Sequence, residues 1–135
     1  MANVLVVDDD RVILQLITYN LESDGHSVIQ ARDGEQGFRC FLEHNPDLVL
    51  LDVMMPIMDG YEVCKKIKAV SNTPVIMLSA RAREEDILKG YQHGADDYMK
   101  KPFNLQDFLW RVHKLFGSID QSRTDQSRTK QPLAA

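Results

Sequence analysis

The run Leu48-Val49-Leu50-Leu51, closing on Asp52, restricts this chain more than any other stretch. An unbroken apolar segment of strand length that stops at an acid reads as a strand buried on both faces, with its last carboxylate presented at the edge of a sheet. In open α/β sheets, that edge is where ligands bind. Residues 53–59 contain Pro56 and lead into Asp59-Gly60, turn chemistry that ends the strand and begins a helix. Asp52 therefore sits on a rigid strand beneath a loop.

The same pattern recurs along the chain. Residues 3–7 are a short β-branched run that stops at Asp8-Asp9-Asp10, and residues 27–31 are another that turns at Asp33-Gly34. Residues 75–78 deliver Ser79, and Tyr98-Met99 lie in a short last strand closed by Lys101-Pro102. Between these runs the apolar spacing is helical: Val12, Ile13, Leu16, Ile17 and Leu21; then Phe38, Phe41 and Leu42; then Tyr61, Cys64 and Ile67. A helix from 84 to about 93 has Ile87, Leu88 and Tyr91 on its inner side, and its weak apolar character predicts a loosely held element. Phe108, Leu109, Val112, Leu115 and Phe116 stripe a final amphipathic helix.

Five strands alternating with five helices predict an α/β fold with a parallel sheet covered on both faces, because parallel strands need crossovers and the helices supply them. Right-handed crossovers put every C-terminal strand end on one rim. Asp8, Asp9, Asp52, Ser79 and Lys101 each fall at or just beyond such an end, so they are expected to converge although they are scattered in sequence.

Composition excludes several classes of function. A chain of 135 residues, 44% hydrophobic and 27% charged, can bury a core without a disulfide or metal staple. Cys40 and Cys64 lack partner spacing and read as reduced residues in or near the core. No apolar run approaches the ~18 residues of a membrane span, and no signal-type segment opens the chain, which predicts a cytoplasmic protein without a membrane partner. A net charge of -4 argues against this chain holding nucleic acid by itself. His26, His44, His93 and His113 fall on different elements without ligand spacing and read as surface residues. Residues 118–135 lose the apolar period, and Asp-Gln-Ser-Arg-Thr repeats within them; they read as a disordered tail or linker after a domain spanning residues 1–117.

Each candidate also has a plain structural reading. The Asp triplet could cap a helix, Asp52 could end a strand, Ser79 could be an N-cap, Lys101 a solvated charge and Tyr98 core packing. Five suitable groups on one rim favour a site.

Val6-Val7-Asp8-Asp9-Asp10, the stretch Leu51-Asp52-Val53-Met54-Met55-Pro56-Ile57-Met58-Asp59-Gly60, Leu78-Ser79-Ala80, and Gly94-Ala95-Asp96-Asp97-Tyr98-Met99-Lys100-Lys101-Pro102-Phe103 resemble the signatures of the response-regulator receiver domain. All four stand in family order and spacing over residues 3–117. The resemblance implies a doubly wound, flavodoxin-like sheet of strand order 2-1-3-4-5 with five helices. It implies a cytoplasmic regulatory protein rather than an enzyme, one that assists its own phosphorylation and dephosphorylation. Asp52 would take a phosphoryl group from a sensor histidine kinase or phosphotransfer protein. Asp8, Asp9, Asp52 and the backbone carbonyl of Met54 would hold Mg²⁺, while Lys101 and Ser79 contact phosphoryl oxygens and Ser79 and Tyr98 act as switch residues. The output face would be the fourth helix, fifth strand and fifth helix. Residues 94–116 resemble receivers that precede winged-helix DNA-binding domains, in which an acid and an arginine at the positions of Asp97 and Arg111 pair between subunits; with the charge of Lys89 and the apolar Ile87, this predicts a weak homodimer strengthened by phosphorylation.

Two other readings remain open on sequence. Asp8-Asp9-Asp10-Arg11-Val12 also fits the Asp-x-Asp-x-Val pattern of haloacid-dehalogenase-like phosphatases, which would make Asp8 the nucleophile. That reading leaves the Asp52 loop unexplained. The other is a receiver-like interaction module that never takes phosphate, usually marked by loss of an acidic or lysine position, and here none is lost.

Overall fold

Val4, Val6, Leu48, Leu50, Ile76 and Leu78 alternate with Leu5, Val7, Val49, Leu51, Val75 and Met77, and all are buried. A strand buried on both faces has no polar side, which explains why these segments read as unbroken apolar runs. The computed structural model describes the backbone of residues 2–129 and the side chains of residues 2–117. Its elements are β1 (Asn3–Val7), α1 (Arg11–Ser23), β2 (Ser27–Ala31), α2 (Gly34–His44), β3 (Leu48–Asp52), α3 (Gly60–Val70), β4 (Val75–Ser79), α4 (Glu84–Gln92), β5 (Asp97–Lys100) and α5 (Leu105–Thr129). The sheet is parallel with order β2-β1-β3-β4-β5, as the resemblance implies. Register aligns Val7 with Leu51, Asp52 with Leu78 and Ser79 with Lys100, so the strands end together along one rim.

The helices start where short polar side chains accept from their free N–H groups. Asp10 accepts from Val12 and Ile13, Asp33 from Gln36, and Asp59 from Glu62. Which face each helix buries departs in places from the predicted stripes. α1 buries Leu14, Ile17 and Leu21, while Val12 is 72% exposed and Leu16 also faces out. Apolar residues at 12, 13, 14, 16 and 17 permit more than one stripe, and contact with the sheet selects among them. Leu42 of α2 is likewise exposed, with Phe41 buried. In α4 the correction is larger: Leu88 and Tyr91 are exposed and Ile87 half-buried, and the residues this helix buries are Asp86 and Gly90. His26 is not a surface residue either. Its side chain is 8% exposed, and its Nδ1 accepts from the N–H of Ala2.

Both cysteines are free, and burial pushes the Cys64 thiol up to about 11, which keeps it an inert core residue. Among the described residues, no helix is long and apolar enough to cross a membrane.

The chain falls into two units, residues 1–102 and 103–135. The first holds the whole sheet with α1 to α4. The second is built on α5, whose start is capped by Asn104: its side chain accepts from Asp107 and its carbonyl from Phe108. The Phe103 and Phe108 rings meet at 5.4 Å between centroids. α5 continues past Gly117 to Thr129, so helical backbone occupies much of the segment expected to be a disordered tail. No proline interrupts that stretch. Residues 130–135 of the expected tail lie outside the described residues.

Candidate functional site

Strands that stop in register carry their last polar residues to one place. Asp8 and Asp9 follow β1, Asp52 ends β3, and Lys101 follows β5. Carboxylate oxygens of Asp8, Asp9 and Asp52 lie within 4.8 Å of one another, with Asp8 and Asp52 buried and Asp9 exposed. The Lys101 ammonium reaches between two of them, with Nζ 2.8 Å from Asp8 Oδ2 and 3.3 Å from Asp52 Oδ1. Asp10 faces away to cap α1, while its N–H donates to Asp8 Oδ1 at 3.0 Å. The triplet is thus both cap and cluster, and the two sequence readings of it hold for different members.

Crowding like charges in a dry place leaves a mark on their titration. Burial pushes the Asp52 carboxyl up to about 6; Asp8 raises it further, Lys101 opposes, and Asp9 adds a smaller push upward. Burial alone would lower the Lys101 ammonium, but the hydrogen bond to Asp8 and the charges of Asp52 and Asp8 hold it above the usual lysine value. Three carboxylates against one lysine leave a surplus of negative charge and an all-oxygen donor set. These suit a small hard divalent cation such as Mg²⁺.

The loop between β3 and α3 leaves directly from Asp52 and shares a cavity lining with Asp9. Gly60 is required there, because a Cβ on it would run into the backbone carbonyl of Asp52, and its N–H donates to Val53 O at 2.8 Å. Ile57, 74% exposed, adopts φ of 72°, a left-handed conformation that a β-branched side chain rarely takes. A cavity of about 410 Å³ opens beside the cluster, lined by residues including Asp9, Met54, Tyr61, Arg81, Asp86 and Lys89.

The family model for the response regulator receiver domain matches residues 4–113. The chain belongs to the response regulator receiver domain family. It is 40% identical over 124 residues to the DNA-binding dual master transcriptional regulator RpaA of Synechocystis, a match covering 90% of this chain and 52% of that protein. It is 46% identical over 110 residues to the alkaline phosphatase synthesis transcriptional regulatory protein PhoP of Bacillus subtilis, covering 81% and 46%. The chain thus spans about half the length of these curated relatives. The solved receiver domain of Francisella response regulator 1452 superposes with a TM-score of 0.84 at 37% identity, over 88% of this chain and 99% of that one. The expected kinship to receivers of transcription regulators accords with the relatives' names.

In this receiver the two expected switch residues both bond the backbone of one residue, Arg81. The Ser79 hydroxyl, fully buried, accepts from the N–H of Arg81 at 2.9 Å, and the Tyr98 hydroxyl donates to the carbonyl of Arg81 at 2.5 Å. Tyr98 is buried, so its ring already points inward. The expected interface residues are not equivalent. Ile87 and Asp97 are half-buried, whereas the Lys89 ammonium stands 4.5 Å over the Tyr61 ring and lines the cavity. In α5, Arg111 pairs with Asp107 at 3.2 Å, one turn away.

Sequence reading missed a polar network beneath α4. The Tyr61 hydroxyl donates to the Asp86 carbonyl at 3.1 Å. Arg83 donates through its backbone N–H and Nε to Asp86 Oδ2, and the Nε bond holds the Asp86 carboxyl below its usual range. An Arg-x-x-Asp spacing at a helix start is a weak cue for the second contact. Nothing in the sequence announces the first, which joins residues 25 positions apart.

Proposed function

We propose that Asp52 is the phosphoacceptor, taking a phosphoryl group from the phosphohistidine of a sensor histidine kinase or phosphotransfer protein. The observation that carries this is the buried Asp52 carboxylate, set within 4.8 Å of two further acids and 3.3 Å from a lysine ammonium. A carboxylate oxygen of Asp52 forms the new bond to phosphorus as the P–N bond to the donor imidazole breaks, and the electron pair leaves with the ring nitrogen. Asp8, Asp9, Asp52 and the Met54 carbonyl would hold Mg²⁺, which when bound neutralises charge on the phosphoryl oxygens. Lys101, already tethered to Asp8, offers a compact cation to one phosphoryl oxygen, and Ser79 offers its hydroxyl to another after leaving the Arg81 N–H.

That departure is the switch. Ser79 bonds the N–H and Tyr98 the carbonyl of Arg81, in the two peptide groups that flank one Cα, so moving one hydroxyl disturbs the residue that holds the other, and phosphorylation shifts the population between two packings. We assign the output to α4, β5 and α5. A weak, phosphorylation-strengthened dimer through Ile87, Lys89, Asp97 and Arg111, and an output in transcription control of the kind that the relatives' names state for them, complete the reading. The chain itself would not hold nucleic acid and would act in the cytoplasm.

With Mg²⁺ and acetyl phosphate, the protein gains one hydroxylamine-labile phosphate, and Asp52→Ala abolishes it. Label persisting in that variant, or found on Asp8, overturns the assignment in favour of a phosphatase-like nucleophile. For the dimer, sedimentation with and without beryllofluoride shows a shift in wild type that Arg111→Glu removes; a monomer under every condition sinks that part.

A further inference from the structure

Glycine is a poor residue for a helix interior, yet Gly90 stands inside α4 and is one of the two residues that helix buries. A Cβ there would lie 2.8 Å from Cδ2 and 3.1 Å from Cε2 of Tyr98, and 3.1 Å from Sδ of Met77. The methionine can bend aside, but a tyrosine ring cannot yield by a few tenths of an ångström without turning as a whole. The ring of Tyr98 therefore lies directly against the backbone of α4.

Another residue closes the same space from α3. Tyr61 is buried, its hydroxyl donates to the carbonyl of Asp86, one turn before Gly90, and it lies close enough to Tyr98 for that phenol to raise its titration. Burial, followed by the neighbouring Tyr98 phenol, raises the Tyr61 phenol above its ordinary value, so it stays a neutral donor. The Tyr98 hydroxyl is fixed at its far end by Arg81 O. The inward ring is thus bounded by a missing side chain on one helix, a phenol on the next and a carbonyl of the β4–α4 loop.

We infer that Gly90 and Tyr61 form the seat that admits the Tyr98 ring, and that both are positioning residues for the switch. The bare backbone at 90 decides whether Tyr98 can lie inside, and the Tyr61 hydroxyl fixes the seat to the first turn of α4. This rests on reading Tyr98 as a switch residue. α4 cannot turn or advance without evicting the ring, and the ring cannot leave without emptying the contact beneath α4. Position 90 therefore sets the balance between the two packings without touching the phosphoryl group.

The test is Gly90→Ala in the full chain, with fluorotyrosine incorporated and the residue 98 resonance assigned by its absence in Tyr98→Phe. In wild type that resonance reports a buried ring. In Gly90→Ala it moves to the solvent-exposed position, with and without beryllofluoride and Mg²⁺, while acetyl phosphate still labels Asp52 to the wild-type extent. Helix propensity alone predicts that Gly90→Ala raises the denaturation midpoint; the seat predicts that it lowers the midpoint when Tyr98 is present and raises it in a Tyr98→Ala background. Tyr61→Phe gives a mixture of buried and exposed resonances. A ring still buried in Gly90→Ala, or the same midpoint shift with and without Tyr98, overturns the inference. If the wild-type resonance ignores beryllofluoride, the switch reading fails instead, and the seat is still judged by Gly90→Ala against wild type in unphosphorylated protein.

Discussion

α3 and α4 are successive crossovers of one sheet and are held by different forces. α3 buries Tyr61, Val63, Cys64 and Ile67, whereas α4 buries an acid and a glycine. Each large apolar side chain fully buried contributes about 1.5–3 kcal/mol, and that attraction is lost in proportion to the area uncovered. A hydrogen bond adds about 0.5–1.5 kcal/mol net and is readily exchanged for water. α4, anchored through Asp86 to Arg83 and Tyr61, can therefore shift at a fraction of the free energy that α3 would need. The rim differs in what it adjoins: Asp8 and Asp52 are buried at the ends of β1 and β3, while Ser79 and Tyr98 bond the backbone of Arg81, just before α4.

The sharpest attack on this contrast is a matched pair of truncations. Ile67→Ala should lower stability by about 2–5 kcal/mol, and Ile87→Ala by no more than about 1.5 kcal/mol while Asp52 phosphorylation is retained, both read by chemical denaturation. Equal losses would remove the distinction.

A second expectation concerns the strain held by the rigid half. With Asp52 near 6 rather than its ordinary 3.8, the folded chain keeps a proton that the unfolded chain releases, so this contribution is full below about pH 4 and lost as pH rises through about 6. Asp52→Asn should accordingly stabilise the metal-free protein at neutral pH by roughly 1–3 kcal/mol and flatten its pH dependence. A profile unchanged by the substitution would mean the acids are not strained. Native-state hydrogen exchange offers a third test. Amides of α4 should open at a free energy about 2 kcal/mol below those of α3, and protection as high as that of α3 would break the comparison. The smallest effect is expected just before α3, where Ile57→Gly should raise the unfolding temperature through a gain of up to about 1 kcal/mol by relieving the left-handed backbone. A loss there would show that the loop needs the side chain.

What the sequence revealed follows the same division. Strands buried on both faces have no second way to be read, so 48–52 and its neighbours, and with them the meeting of Asp8, Asp9, Asp52 and Lys101, were legible from apolar runs ending in charge. Helical stripes were less so, because Val12, Ile13, Leu14, Leu16 and Ile17 offer several faces and only the sheet picks one. The weak apolar character of α4 is visible in its sequence, but the spacing of Leu88 and Tyr91 suggests an inner side that the fold leaves exposed, because no pattern of hydrophobicity can nominate an aspartate and a glycine as the buried residues. Polar burial is decided by partners such as Tyr61 and Arg83, and those partners are set by the fold.

The Lys101 bridge to Asp8 spans 93 residues of sequence, from the end of the first strand to just beyond the last. A growing chain has all its pocket acids once residue 52 is made, but it lacks the cation that sits among them until residue 101 emerges. Through that interval the acids have no lysine to face, and strands with long-range parallel neighbours close late in folding. The complete rim therefore arrives only with the last strand, so a chain interrupted before residue 101 would carry the three acids without the cation that bridges two of them.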